Sequence, residues 1–252
     1  MNIEFWKMHG AGNDFVMVDD REETFPLQNV HWLQQTAARK TGIGCDGFVL
    51  IQKSTDADFR MRFINPDGGE VDMCGNGGRC VARLAHDLGI CAPSMTFETA
   101  AGTLSAEVMD HAVRLEMPAV THWHPHERIQ INGRELDYGF ANTGVPHVVA
   151  IVDRLQDVDL HALGPAIRYH EQFAPAGTNA DFVQVTGPNE VSIRTYERGV
   201  EDETLACGTG IVAGALLAVA AGRVAPPVTV TAASGHTLTV DLAPRPHAAP
   251  VD

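Results

Sequence analysis

The sequence predicts a mixed α/β chain built as two similar halves. Three observations carry that prediction. Short β-like runs outnumber helical ones, one helical stretch is apolar on every side, and a Cys-Gly-x-Gly helix start occurs twice. The first β-like run is residues 15–18 (Phe-Val-Met-Val). Residues 32–39 then have helical spacing, ending near Gly42. Residues 48–51 (Phe-Val-Leu-Ile) and 59–64 are further strand candidates, bounded by the Gly, Pro, Asn and Asp residues that make turns. Val81, Leu84 and Leu88 recur at helical intervals, and Gly89 follows as a stop. Residues 103–108 and 113–117 read as strands, and Pro118 ends the second. Residues 211–221 form a helix with no charged face, which is expected to be buried because it has no side to offer water. A last strand-like segment covers 237–242.

The repeat divides the chain. Met73-Cys74-Gly75-Asn76-Gly77 opens the helix that stops at Gly89, and Ala206-Cys207-Gly208-Thr209-Gly210 opens the helix that stops at Gly222. The two cysteines are 133 residues apart. Thr99-Ala100-Ala101-Gly102 is echoed by Thr231-Ala232-Ala233-Ser234 at nearly the same offset, and residues 13–18 are matched to 179–185 as a third echo. The boundary is placed after Met117, where the composition turns looser and His-rich. This gives an N-terminal half 1–117, a C-terminal half 118–242, and a Pro- and Ala-rich tail 243–252 expected to be poorly ordered.

Composition excludes several classes. The chain has 252 residues, 44% of them hydrophobic and 20% charged, as in ordinary globular proteins. No run approaches the roughly 18 apolar residues of a membrane helix. A net charge of −14 argues against a nucleic-acid partner. Five cysteines, an odd number at low density, suit reduced thiols in a cytoplasmic protein rather than a disulfide scaffold. The opening residues have the pattern of neither a secretory leader nor a transit peptide.

Chemistry concentrates at the two helix starts. The first amides of a helix lack an internal acceptor and carry partial positive charge. A cysteine there is expected to have a lowered pKa, suited to a base or nucleophile. The same amides can bind a carboxylate. A thiolate on one face of a carbon and a thiol on the other can invert that carbon without a cofactor, provided amides stabilise the developing enolate. Cys74 and Cys207 are therefore the catalytic pair. Cys45, Cys80 and Cys91 are read as small, partly buried residues without a catalytic role. Two thiols flanking one carbon would also be close enough to join on oxidation.

The motifs resemble those of the diaminopimelate epimerases, pyridoxal-independent amino-acid isomerases. The matching strings are Met8-His-Gly-Ala-Gly-Asn13-Asp-Phe15, Gly42-Ile-Gly-Cys-Asp-Gly47, Asn65-Pro-Asp-Gly-Gly-Glu70 and Met73-Cys-Gly-Asn-Gly-Gly-Arg79. They continue with Gly177-Thr-Asn179-Ala-Asp-Phe182, Tyr196-Glu-Arg-Gly199 and Ala206-Cys-Gly-Thr-Gly210. The resemblance implies two pseudo-symmetric α/β halves, each a curved, mostly antiparallel sheet or barrel wrapped around a central helix, with the active site in the cleft between them. It implies interconversion of LL- and meso-diaminopimelate, a step toward lysine and peptidoglycan precursors, by a homodimer. No cofactor, metal, membrane or nucleic acid is expected. By this resemblance Cys74 and Cys207 exchange protons with substrate, and His147 and Glu197 tune their pKa values. Gly75, Asn76, Gly208 and Thr209 hold the reacting carboxylate through their amides. Asn13, Asn65, Asn179, Glu197 and Arg198 read the remote amino-acid end. Arg suits a carboxylate through two parallel hydrogen bonds, and Glu complements an ammonium.

Other readings rank lower. A proline or hydroxyproline racemase is disfavoured by Asn76 and by Glu197-Arg198. A non-catalytic amino-acid binder or redox sensor would use the same thiols. Gly208-x-Gly210-x-x-x-Gly214 lacks the preceding strand and following acid of a dinucleotide site. His122, His124 and His126 alternate, but are read as exposed residues of a polar loop rather than as metal ligands. The sequence departs from the family at Val145, where many members have Asn, and at Gly47, where some carry Gln. The loop 199–204 is one residue longer than in some relatives. The tail 243–252 stands where a closing strand is usual.

Overall fold

A computed structural model describes residues 2–242, and its chain divides into two compact units, one ending at Pro118 and one beginning at Ala119. The first unit contains β1 (Trp6–Gly10), β2 (Asn13–Asp19), α1 (Val30–Ala37), β3 (Gly47–Gln52), β4 (Phe59–Ile64), β5 (Glu70–Val71), α2 (Gly75–Asp87), β6 (Ser94–Thr99), β7 (Gly102–Val108) and β8 (Val113–Leu115). Its sheet runs β1-β2-β3-β4-β6-β7-β8, with β5 paired to β4. Only β2 with β3 and β4 with β6 are parallel. Each parallel pair needs a crossover, and α1 and α2 supply them.

Side-chain alternation places one core on each face. Phe15, Met17, Val49 and Ile51 pack with Val81, Leu84 and Ala85 of α2. Their neighbours Val16, Val18, Phe48 and Leu50 pack with Leu33 and Ala37 of α1. A strand buried on both faces reads as an unbroken apolar run, which is what residues 15–18 and 48–51 show. Helix α2 touches β1, β2, β3, β4, β7 and β8, so the sheet curls around it.

The second unit contains β9 (Thr121–Ile131), β10 (Arg134–Asn142), β11 (Pro146–Val152), α3 (Leu160–Arg168), β12 (Asn179–Gly187), β13 (Glu190–Glu197), β14 (Asp202–Thr204), α4 (Gly208–Ala220), β15 (Val228–Thr231) and β16 (Thr237–Val240). Its sheet runs β16-β15-β13-β12-β11-β10-β9, with β14 on β13, and the parallel pairs are β11 with β12 and β13 with β15. Helix α4 touches β10, β11, β12, β13, β15 and β16. The topology of the first unit is thus repeated, with β9 added at one edge. Among the described residues β8 has no counterpart, and the tail 243–252, expected to be poorly ordered, lies outside them.

Topology corrects one echo. The strand equivalent to β2 is β11, and β12 is equivalent to β3. Phe48-Val49 therefore matches Phe182-Val183, at an offset of 134, within one residue of the 133 between the cysteines. Phe48 faces the α1 side and Phe182 the α3 side of their sheets. The match of residues 13–18 to 179–185 paired two strands of different rank, because a short Asn-Asp-Phe-Val string carries no record of which strand it pairs with.

Two further differences concern the second unit. Residues 122–126, expected as a polar loop, belong to an eleven-residue edge strand, Thr121–Ile131, in which His122, His124 and His126 are exposed as expected. Both faces are polar for most of its length, so no alternation marks it. Pro125 is tolerated because an edge strand can leave one amide position unpaired. Helix α3 contains Pro165, which masks the apolar spacing of Leu160, Gly164 and Ile167, all buried. Among the described residues no helix is long and apolar enough to cross a membrane.

Candidate active site

Both catalytic candidates occupy the N-cap position of their helix. Cys74 caps α2 with an extended backbone, and its Sγ accepts the Gly77 amide at 3.4 Å. Cys74 is half-buried. An amide aimed at sulfur suits a sulfur carrying negative charge. The Arg79 guanidinium, one turn further on, is half-buried and close enough to interact with the charges of Cys80 and Cys74; burial lowers its own pKa. The amides of Gly75 and Asn76, like those of Gly208 and Thr209, belong to the first turn of their helices, ahead of the bonds from Gly78 to Cys74 and from Ile211 to Cys207 that open each ladder.

Cys207 caps α4 in different surroundings. Its thiol is buried and raised well above its ordinary pKa, first by burial and then by the charges of Glu197 and Asp181. The expected lowering by the helix start is present, through Gly210, but is outweighed. A helix terminus contributes about 0.3–1 kcal/mol, up to about 2 in favourable geometry. Deep burial of a charge costs several. The lowered pKa expected for both cysteines therefore fails at Cys207, which rests as a thiol, the form that donates a proton. Glu197 is itself raised above the usual carboxylate range, chiefly by burial.

Behind Cys207 lies a chain of contacts. Its Sγ is 3.4 Å from Thr209 Oγ1, which is 2.9 Å from His147 Nε2. His147 Nδ1 is 2.7 Å from Asp181 Oδ2, and Asp181 Oδ1 accepts the Thr195 hydroxyl at 2.6 Å. His147 and Asp181 are essentially without exposure. Gly210 permits this packing, since a Cβ there would lie 2.6 Å from Asp181 Oδ1. Sequence reasoning missed Asp181, Thr195 and the Thr209 hydroxyl. The string Asn179-Ala-Asp-Phe182 contains Asp181, but nothing in it says which way Asp181 faces.

The expected substrate readers fall into two groups. Asn65 and Arg198 are half-buried with side chains left for a ligand. Among the described residues the Asn65 side-chain carboxamide makes no hydrogen bond to protein, although its backbone amide donates to the Gly69 carbonyl at 2.8 Å, and Arg198 has no carboxylate partner; the Arg198 guanidinium donates to the Ala176 carbonyl at 3.3 Å. Asn13, Asn76 and Asn179 are partly committed. Asn179 donates to the Pro146 carbonyl at 2.9 Å and accepts the Arg198 amide at 2.8 Å, so it braces the loops on either side. Asn76 donates to Asn13 Oδ1 at 2.5 Å and accepts from Arg79 at 2.5 Å, while Asn13 donates to Asp46 at 3.2 Å. Asp14 and Asp46 are in turn held by Arg39. The structure also accounts for Gly47, where a Cβ would lie 2.2 Å from the Phe63 ring.

The other three cysteines carry thiols made less reactive by burial, which raises Cys45 and Cys91 and pushes Cys80 up to about 11. All five are free.

The family model of diaminopimelate epimerase matches residues 5–123 and 139–243. The chain belongs to the diaminopimelate epimerase family. Two relatives of this name, from Aquifex aeolicus and Chlorobaculum tepidum, are 41% and 43% identical to this diaminopimelate epimerase family member. They cover 95% and 92% of the chain and 90% of their own lengths. Solved structures share the fold at lower identity. A phenazine biosynthesis PhzF-family protein of Enterococcus faecalis has a TM-score of 0.68 at 14% identity, covering 96% of this chain and 92% of its own. A hydroxyproline epimerase of Agrobacterium vitis has a TM-score of 0.65 at 18% identity, covering 94% and 83%.

Proposed function

We propose that the chain interconverts LL- and meso-diaminopimelate by a two-base reaction that needs no cofactor, as a cytoplasmic homodimer. The observation that carries this is the pair of cysteine-capped helix starts with chemically opposite surroundings. Cys74, with an amide on its sulfur and a guanidinium nearby, is the thiolate that removes the α-proton. Cys207, buried beside two carboxylates, is the thiol that returns a proton to the other face. In the reverse direction the roles exchange. The amides of Gly75, Asn76, Gly208 and Thr209 bind the carboxylate at the reacting carbon and stabilise the charge that develops there. Arg198 takes the remote carboxylate, Asn65 and Glu197 face the remote ammonium, and Asn13, Asn76 and Asn179 shape the site around them. His147 and Glu197 set the proton affinity of Cys207.

The test is incubation of purified protein with LL-diaminopimelate in deuterated water without pyridoxal phosphate. Deuterium should enter one α-position as meso product forms. Cys74→Ser and Cys207→Ser should each lower kcat at least about 100-fold, the scale of a lost general acid or base. Absence of both exchange and product, or turnover of proline or hydroxyproline instead, would refute the substrate.

A further inference from the structure

The repeat extends to single side chains. Asn13 opens β2 and His147 lies at the start of β11, 134 residues later; Asn76 and Thr209, the variable residues of the two Cys-Gly-x-Gly motifs, are 133 apart. In each unit the strand residue reaches the helix residue, Asn13 to Asn76 and His147 to Thr209. An aspartate stands behind each strand residue, Asp46 and Asp181. The same latch is thus built twice from different groups.

In the first unit the latch is fixed and inert. Arg79 can only donate and the Asp46 carboxylate can only accept, so both carboxamides between them have one orientation. Neither amide gains or loses a proton near neutral pH. In the second unit every member can pass a proton. The Asp181 carboxylate places the hydrogen of a neutral His147 on Nδ1, leaving Nε2 as acceptor. The Thr209 hydroxyl then donates to Nε2, and its oxygen is left to accept from the Cys207 thiol.

We infer that Cys207 is one end of a proton relay through Thr209 and His147 to Asp181, whose counterpart beside Cys74 is built not to conduct. The Cys207 S–H bond breaks as its proton joins the Thr209 oxygen, and the hydroxyl's own proton moves to His147 Nε2. A thiol and an imidazole become a thiolate and an imidazolium, with no change in net charge. The imidazolium rests against the Asp181 carboxylate, which Thr195 also holds. The titratable groups facing this chain are Asp181 on β12, Glu197 on β13 and Cys207 on α4. Thr209 and Asp181 act through Cys207 and His147, as positioning residues. The part the relay plays in turnover rests on the epimerase reading; its existence does not.

The test uses the whole protein with Thr209→Val, Thr209→Ala and Thr209→Ser. Two readouts need no amino-acid substrate: the pH profile of Cys207 alkylation by iodoacetamide, resolved by peptide mass, and ultraviolet thiolate absorbance relative to the matching Cys207→Ser protein. Losing the hydroxyl should move the Cys207 midpoint upward and slow alkylation near pH 8 about tenfold, while Thr209→Ser stays within about twofold of wild type. With diaminopimelate, Thr209→Val and Thr209→Ala should lower kcat roughly 10- to 100-fold with little change in KM, and serine should restore it. An unchanged midpoint in Thr209→Val and Thr209→Ala, or a Thr209→Ser protein as impaired as either, overturns the relay. A midpoint that moves with the hydroxyl in a protein that never epimerises diaminopimelate keeps the relay and removes the substrate reading.

Discussion

Gly77 and Gly210 stand at equivalent places, the third residue after Cys74 and after Cys207, and alanine should affect them differently. In either helix, replacing glycine by alanine contributes up to about 1 kcal/mol of helix propensity. At Gly77 the new Cβ would meet the terminal methyl of Met61 at 3.1 Å, a flexible group that can move aside. Gly77→Ala should therefore change stability by less than about 1 kcal/mol. At Gly210 the new Cβ would lie 2.6 Å from Asp181 Oδ1 and 3.3 Å from the His147 ring. Asp181 sits inside β12, and the crowded oxygen is the one that accepts the Thr195 hydroxyl. Overpacking costs about 1–3 kcal/mol, and loss of a buried hydrogen bond to a charged group about 1.5–3. After the propensity gain, Gly210→Ala should be roughly 2–4 kcal/mol less stable. At about 2–4 °C per kcal/mol for a chain of this size, Tm should fall by roughly 5–15 °C. Urea and thermal unfolding by circular dichroism, with the two variants in parallel, give the comparison. A Gly210→Ala protein as stable as Gly77→Ala, with Cys207 titrating as in wild type, would show that His147 and Asp181 are not packed against the start of α4 as described.

Three further outcomes follow from the site. Glu197→Gln removes a charge that holds the Cys207 thiol up, so the pH midpoint of Cys207 alkylation should move down; an upward move would contradict that cause. Arg198→Leu should raise KM for diaminopimelate about 10- to 100-fold, the worth of a lost charged contact, and should not slow alkylation of Cys74 or Cys207. Asp14 is the acid-stability case. Burial alone would raise its pKa, but hydrogen bonds and charge from Arg39 and Lys7 hold it well below the ordinary 3.8. The unfolded chain binds this proton more readily than the folded one, so the contribution is full above pH about 4 and is lost as pH falls through the acid range. Asp14→Asn should be less stable than wild type at pH 7, and the gap should narrow in urea titrations carried down toward pH 2; a constant gap would count against it.

Much of the site was legible because its first layer is local. A cysteine, a glycine and two more small residues before an apolar stretch specify a capped helix start within one turn of chain, and the string occurs twice. The strands at 15–18, 48–51, 59–64, 103–108 and 113–117 were legible because their partners bury them on one or both faces, which writes apolar runs or alternation into the sequence. Strand β9 and helix α3 were not, since an edge strand with polar faces and a helix containing Pro165 lack those marks.

The second layer depended on pairing register. His147 stands beside Asn179 because β11 and β12 are parallel, and the same register carries Asp181 to the His147 ring from 34 residues away. No short string holds that information, which is also why the third echo of the repeat was matched to the wrong strand. The sequence by itself determined two cysteine-capped helices in two like halves, since capping is a property of neighbouring residues. Only the tertiary structure decided that the two cysteines differ. The state of a thiol depends on burial and on the charges around it, and at Cys207 those come from strands far away in the chain.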